Sequence, residues 1–173
     1  MILKIVGSVL TIASCATLGF YFSNELVTRL KQLNELKKYI TILRGDIRYG
    51  ATPLPEAIRG IASRNPGVFE TFFHKVADRL FDGEGGTFRD IWEESVEVEL
   101  KETCMTKEDK DGLIRLGENL GYLDREMQIN TIDLYLSQLE EVIKEQTIVV
   151  KERTRLYNTL GVMGGIFITI VMI

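Results

Sequence analysis

The sequence is short of the residues that most catalytic and metal sites need. It contains one histidine, His74, and two cysteines, Cys15 near the start and Cys104 in the middle. A single histidine leaves no plausible histidine-based metal site or catalytic triad, and two cysteines do not make a disulfide framework. We therefore expect a protein that is not an enzyme and that has no cofactor.

Positive charge is also in short supply. The chain has 21 Lys and Arg residues against 25 Asp and Glu residues, which gives a net charge of −4 and a pI near 5.2. Nucleic-acid binding needs a basic face. Nucleic acid is therefore not an expected partner.

Charge is missing altogether from two long runs, residues 5–24 and 156–173. A helix over 156–173 would rise about 27 Å, close to the roughly 30 Å of a bilayer core. We predict an N-terminal transmembrane helix over 1–24, a cytoplasmic helical-bundle domain over 25–155 and a C-terminal transmembrane helix over 156–173. A C-terminal helix buried in a soluble core is the alternative.

The first run has two other interpretations. A cleaved signal peptide has a shorter apolar core and a small-residue cleavage site, whereas this run ends on the bulky residues 20–22. The tetrapeptide 12–15 loosely resembles a lipoprotein processing site, but apolar residues continue after Cys15. Because aromatic residues suit the membrane interface, we interpret the run as an anchor.

Basic residues flank both runs on the side of the middle domain. They are Arg29, Lys31, Lys37 and Lys38 after the first run, and Lys144, Lys151, Arg153 and Arg155 before the second. The positive-inside rule places such residues in the cytoplasm. We expect a cell-membrane protein whose middle domain is cytoplasmic.

Apolar residues recur at spacings of three and four on both sides of the middle domain, as on one face of a helix. They are Leu26, Leu30, Leu33, Leu36, Ile40, Leu43 and Ile47, and later Ile129, Ile132, Leu136, Leu139, Ile143 and Val150. No breaker separates either stripe from its neighbouring uncharged run. The sequence predicts an all-α, membrane-anchored bundle with two long antiparallel helices that extend into the transmembrane segments, and four shorter helices between them.

Helix boundaries can be predicted from capping residues. Thr87 with Asp90 and Thr106 with Asp109 resemble N-terminal capping boxes. Asp124 is expected to cap the last helix, and Gly50 and Gly121 are expected to end the helices before them.

Small residues follow one stripe of each predicted anchor, four residues apart. Such stripes let membrane helices approach closely. The positions are Gly7, Thr11, Cys15 and Gly19 in the first anchor, and Gly161, Gly165 and Thr169 in the second. The two anchors could pair with each other or with helices of other proteins.

Two segments at helix junctions are the candidate partner-binding surfaces. The first contains Tyr49, Gly50, Thr52, Pro53 and Leu54, and the second contains Gly117, Leu120, Gly121, Asp124, Arg125 and Gln128. A purely structural interpretation stays open, since Asp124 suits a helix cap and Gly117 suits close packing. We expect Arg125→Glu to weaken partner binding without unfolding the domain.

These two segments resemble the stage III sporulation protein AB family of endospore-forming bacteria. The resemblance rests on Gly117-x-x-Leu120-Gly121-x-x-Asp124-Arg125-x-x-Gln128, on the turn over 46–54, and on glycines in both end segments. Thr131 departs from it, because histidine is expected there. Asp46 in place of glutamate is conservative.

The resemblance implies a component of the mother-cell secretion-like complex that joins mother cell and forespore. The family's cytoplasmic domain is similar to the F-type inner-membrane platform protein of type II secretion and type IV pilus systems, which engages a secretion ATPase. By analogy with those systems, the resemblance implies docking of stage III sporulation protein AA, a cytoplasmic ATPase, at the outer forespore membrane. A homo-oligomer is left open by the sequence. The alternative is a membrane-bound scaffold or regulator that binds a cytoplasmic factor without any ATPase.

Overall fold

The computed structural model describes residues 2–83, 86–121 and 124–172, and within these ranges every regular element is a helix. The six helices are α1 (Ile2–Arg48), α2 (Leu54–Arg64), α3 (Glu70–Asp82), α4 (Phe88–Glu99), α5 (Lys107–Leu120) and α6 (Arg125–Met172). The prediction of an all-α chain with two long helices around four shorter ones is confirmed.

The chain divides into two compact units. One comprises Met1–Leu30 and Lys144–Ile173, and the other is the continuous segment Lys31–Ile143. In the first unit, Phe22 packs on Tyr157 with ring centroids 6.2 Å apart, and Arg29 donates a hydrogen bond to Gln146 at 2.9 Å. Since later residues of α1 meet earlier residues of α6, the two segments run antiparallel there.

Gly19, in the first small-residue stripe, is buried, whereas Gly7 is exposed. The packing of Thr11, Cys15, Gly161, Gly165 and Thr169 lies outside the described residues. Within the described part of the chain, no helix combines enough length and apolar character to cross a membrane. The predicted transmembrane segments are therefore not confirmed.

The second unit holds the hydrophobic core. The predicted stripe of α1 is buried from Leu33 to Ile47, and α6 contributes Ile132 and Leu139. Outside the core, the Lys37 ammonium donates to the Glu140 carboxylate at 2.8 Å, and Arg44 forms an ion pair with Asp133. These contacts also run antiparallel, so they confirm that α1 and the start of α6 pack side by side in opposite directions.

An aromatic cluster joins three of the short helices. Trp92 of α4 is fully buried, stacks on Phe88 with centroids 5.5 Å apart, and contacts Phe72 edge-on at 5.0 Å. Its indole nitrogen donates to the Leu113 carbonyl of α5 at 2.8 Å. The polar end of the buried ring is thereby satisfied, and α3, α4 and α5 are held together.

Candidate functional site

The two predicted partner-binding segments meet at one end of the second unit, where α1 ends and α6 begins. We call residues 46–55, 117–121 and 124–128 the junction. The Arg125 side chain makes the connection: its Nε donates to the Ile47 carbonyl at 2.9 Å, and a terminal nitrogen donates to the Arg48 carbonyl. The last carbonyls of a helix have no partner within the helix. Arg125 therefore caps α1 from a distant part of the chain.

Two further side chains hydrogen-bond at the end of α5 and at the start of α6. Asp124 Oδ1 accepts from the Met127 backbone nitrogen at 2.9 Å, which is the predicted N-terminal cap of α6. Gln128 Nε2 donates to the Leu120 carbonyl at 2.9 Å, and Leu120 itself is fully buried. The end of α5 and the start of α6 are therefore both hydrogen-bonded by side chains.

Glycines in the second segment allow close packing. A Cβ added at Gly117 would overlap the Trp92 indole, and one added at Gly121 would lie 2.8 Å from the Phe88 Cβ. Gly121 occupies the C-cap position as predicted, but its φ of −69° is right-handed. Glycine is needed there because Phe88 lies close, and not because the backbone is left-handed.

The turn after α1 is tight and carries one strained residue. The Thr52 backbone nitrogen donates to the Asp46 carbonyl at 3.3 Å, and a Cβ at Gly50 would lie 2.7 Å from that same carbonyl oxygen. Ala51, with φ of 48°, is the only non-glycine residue with a positive φ in the described chain. The predicted capping glycine is therefore one residue from the position that adopts the left-handed conformation. Pro53 takes the N-cap position of α2, and Leu54 begins that helix.

Among the candidate residues, Tyr49 has a large side chain that is mostly exposed. It is 80% exposed, and the Arg48 guanidinium lies 5.6 Å from the centre of its ring. The remaining candidate residues serve the junction itself, through caps, backbone hydrogen bonds or close packing. For Arg125 this is a departure from the sequence-based expectation, because its substitution would also remove the partner of two carbonyls.

Ion pairs surround the junction. Asp46 pairs with Arg64 of α2, and Arg44 pairs with Asp133 of α6. The hydrogen bond to Asp133 raises the pKa of Arg44 above its ordinary value. These pairs hold α1 to α2 and α6 but do not create a reactive group.

The structure also contains a surface that the sequence pattern did not indicate. A groove of about 190 Å³ lies between α5 and α6. Leu134 in this groove is 61% exposed and lies off the apolar stripe of α6. Leu134 is two positions from each of the stripe residues Ile132 and Leu136, and residues two apart do not share a helix face. This offset is the sequence signal that could have identified Leu134 as an exposed apolar residue. Thr131, where the resemblance predicted histidine, also lines this groove.

Nothing in the described residues has the arrangement of a metal centre, because no group of three His, Cys, Asp or Glu side chains comes together in them. His74 is partly buried on α3.

Comparison with known proteins identifies the family. The model of the stage III sporulation protein AB family matches residues 4–173. The chain belongs to this family. It is 26% identical over 170 residues to stage III sporulation protein AB of Bacillus subtilis (strain 168), covering 98% of this chain and 99% of the relative. A solved structure of stage III sporulation protein AB superimposes with a TM-score of 0.64 at 28% identity, covering 72% of this chain and 97% of the other. The family resemblance seen in the sequence is thereby confirmed.

Proposed function

We propose that this protein is a non-enzymatic membrane platform in the mother-cell secretion-like complex needed for endospore formation. In this role it docks a cytoplasmic secretion ATPase, stage III sporulation protein AA, and links it to the channel components. The observation that carries the proposal is the junction, where an exposed tyrosine and arginine stand on a backbone locked by hydrogen bonds. Membership of the sporulation family supports the cellular setting.

The junction has the properties of a preorganised protein-binding surface. Tyrosine and arginine are enriched among the residues that dominate binding energy at interfaces, and Tyr49 and Arg48 are adjacent and exposed. Arg125 and Gln128 hold the surrounding helix ends in place. A surface that is already ordered loses less entropy on binding. Most of the contact energy of Tyr49 and Arg48 is therefore available for binding the partner.

Attachment to the cell membrane is the second part of the proposal. Its support is the absence of charge from residues 5–24 and 156–173 and the basic residues that flank these runs. Anchored this way, the domain over 25–155 lies in the mother-cell cytoplasm at the outer forespore membrane. Two tethers would keep a docked ATPase beside the bilayer.

Action by binding alone is the third part. Three polar residues of the junction are engaged with backbone groups: Asp124 caps α6, and Arg125 and Gln128 donate to carbonyls at the ends of α1 and α5. A general acid or base needs a proton-transfer partner within hydrogen-bond reach of a substrate. Because Asp124, Arg125 and Gln128 are already hydrogen-bonded within the protein, the proposed role of the junction is contact with a partner through its exposed residues.

Co-purification from sporulating cells tests this function. The full-length chain is tagged, extracted from membranes with detergent and purified, and its partners are identified by mass. We expect the secretion ATPase to be recovered with the parent chain and to be depleted with Tyr49→Ala. The matched control is Phe81→Ala, an exposed aromatic residue on α3. Recovery of a different cytoplasmic protein without the ATPase would favour the scaffold or regulator, and equal recovery for all three chains would contradict docking at the junction.

A further inference from the structure

The two units of the chain carry net charges of opposite sign. We call the unit formed by Met1–Leu30 and Lys144–Ile173 the end unit. Its three carboxylates stand against six cations, which are Lys4, Arg29, Lys144, Lys151, Arg153 and Arg155. The unit Lys31–Ile143 has 22 carboxylates against 15 cations. Such asymmetry within a chain suggests that the basic part contacts an anionic partner.

Three cations of the end unit lie on one short stretch of α6, directly before the uncharged run 156–173. They are Lys151, Arg153 and Arg155, and all three side chains are exposed. Among the described residues, no carboxylate forms an ion pair with any of them. They span about 6 Å of helix rise, close to the roughly 5–7 Å that headgroups add to each side of a bilayer core. The three charges therefore fit within one headgroup layer.

Exposed apolar side chains begin where these cations end. Leu156 on α6 is exposed, and so are Phe20 and Tyr21 on α1. Phe22 packs on Tyr157, which places the aromatic residues of α1 beside the start of the uncharged run of α6. Aromatic side chains suit the membrane interface. Cations followed by aromatic and aliphatic side chains match the order of a lipid molecule, in which the headgroup precedes the acyl chains.

The carboxylates of the end unit do not cancel this charge. They are Glu25, Glu145 and Glu152, and all are exposed. Glu152 is the last carboxylate of the chain, and only Arg153 and Arg155 lie between it and the uncharged run. Even with Glu25 at the edge of the first uncharged run included, the cations beside the two runs outnumber the carboxylates. An anionic surface with an apolar interior is therefore the complementary partner.

We propose that Lys151, Arg153 and Arg155 bind the headgroups of anionic phospholipids, so that the end unit selects anionic over zwitterionic lipid. Lys and Arg residues beside a membrane are attracted to anionic lipids over about one Debye length. The two guanidinium groups can also donate paired hydrogen bonds to a phosphate. The inference rests on the proposed membrane attachment and goes beyond it, because uncharged runs alone give no preference for the charge of the lipid.

Lipid selection by the purified full-length chain tests the proposal. The chain in detergent is incubated with mixed micelles that contain phosphatidylglycerol and phosphatidylcholine in equal amounts, and is then purified again. The lipids that stay bound are quantified by mass. We expect the parent to retain several-fold more phosphatidylglycerol than phosphatidylcholine. The combined variant Lys151→Gln, Arg153→Gln and Arg155→Gln is expected to retain the two lipids equally.

Two matched variants separate a local effect from the loss of net charge. The combination of Lys101→Gln, Lys107→Gln and Arg115→Gln removes the same charge from exposed residues of the other unit. This variant is expected to keep the parental lipid ratio. Exchanging Lys for Arg and Arg for Lys at positions 151, 153 and 155 preserves the charge, and this variant should keep the ratio as well.

Several results would overturn the proposal. One is a parent chain that retains the two lipids in the ratio of the micelles. Another is a Gln variant at 151, 153 and 155 that keeps the parental preference, or a control variant that loses it to the same extent. Loss of a co-purified protein from that Gln variant with an unchanged lipid ratio would assign the three cations to an acidic protein surface. Full-length chain in the aqueous fraction without detergent would overturn membrane attachment as well, whereas a membrane-bound chain without lipid preference contradicts this inference alone.

Discussion

At the residue scale, the contact between Gly117 and Trp92 explains why one glycine of the junction is structural. The indole ring fills the space that any side chain at position 117 would occupy. Displacing Trp92 would cost stability, since the ring is fully buried, stacked on Phe88 and hydrogen-bonded to the Leu113 carbonyl. Close approach of α4 and α5 therefore depends on a glycine at this position.

We expect Gly117→Ala to lower the free energy of unfolding by about 1–3 kcal/mol, the usual cost of overpacking a core. The control is Gly45→Ala in α1, where an added Cβ would meet nothing within 4 Å. That change should stabilise by about 0.5–1 kcal/mol, because alanine favours helix over glycine. Urea unfolding of both variants checks this. Equal effects would mean that the packing on Trp92 does not limit the residue at position 117.

Tyr39 is a buried residue that makes the stability of the fold depend on alkaline pH. Its ring stacks on Phe73 with centroids 5.0 Å apart, and its hydroxyl donates to the Asn65 carbonyl. Burial, with smaller contributions from Glu35 and Glu70, raises the pKa of Tyr39 from 10.0 to about 12. The folded state therefore keeps the phenolic proton at pH values where the unfolded state loses it.

We expect the stability contributed by Tyr39 to be complete below pH 10 and to be lost as pH rises from 10 towards about 12. The sign follows from linkage: the unfolded state binds fewer protons in this range, so the free energy of unfolding falls as pH rises. Tyr39→Phe should be less stable at neutral pH but should lose less stability across this range. Unfolding measured at several alkaline pH values checks this, and identical slopes for parent and variant would contradict it.

At the element scale, local sequence predicted the helix starts and missed the long-range contacts. Thr87 and Thr106 each form the capping box expected from a partner three residues later. The turn after α1 was placed correctly, but its left-handed residue is Ala51, because the geometry there depends on the route from α1 into α2. The link from Arg125 to α1 could not be predicted, since it joins residues separated by most of the bundle and has no local pattern.

Substitutions at Arg125 and Tyr49 should distinguish a structural role from a role in partner binding. We expect Arg125→Ala to reduce stability by about 1 kcal/mol, because hydrogen bonds from a charged donor to the Ile47 and Arg48 carbonyls are lost. Tyr49→Ala should change stability by less than about 0.5 kcal/mol, as is usual for exposed sites. Thermal unfolding followed by helical circular dichroism compares the two. An Arg125→Ala variant as stable as its parent would return that residue to the list of binding candidates.

At the scale of the whole molecule, the chain consists of a helical core unit over Lys31–Ile143 and a second unit formed by both ends. The spacing of apolar residues predicted the all-α class, because helical periodicity is a local property of the sequence. Membrane attachment stays a prediction from the two uncharged runs, since the described helices do not include one that could cross a bilayer.

Topology can be measured directly. We expect a reporter enzyme inserted directly after Gly83, which is exposed, to behave as cytoplasmic. We also expect the full-length chain to sediment with membranes until detergent is added. The reason is the concentration of basic residues on the inner side of each uncharged run. An exported reporter would reverse the orientation, and full-length protein in the aqueous fraction without detergent would contradict anchoring.

The central claim is that the junction binds the ATPase through Tyr49. Its most direct measurement is a binding titration of purified stage III sporulation protein AA against the full-length chain in detergent, with Tyr49→Ala and Phe81→Ala as matched variants. Loss of an aromatic anchor at an interface costs about 2 kcal/mol or more, which is at least a tenfold weaker Kd. We predict that loss for Tyr49→Ala and parental affinity for Phe81→Ala. Equal affinity for all three chains, or no binding to the parent, would contradict the account.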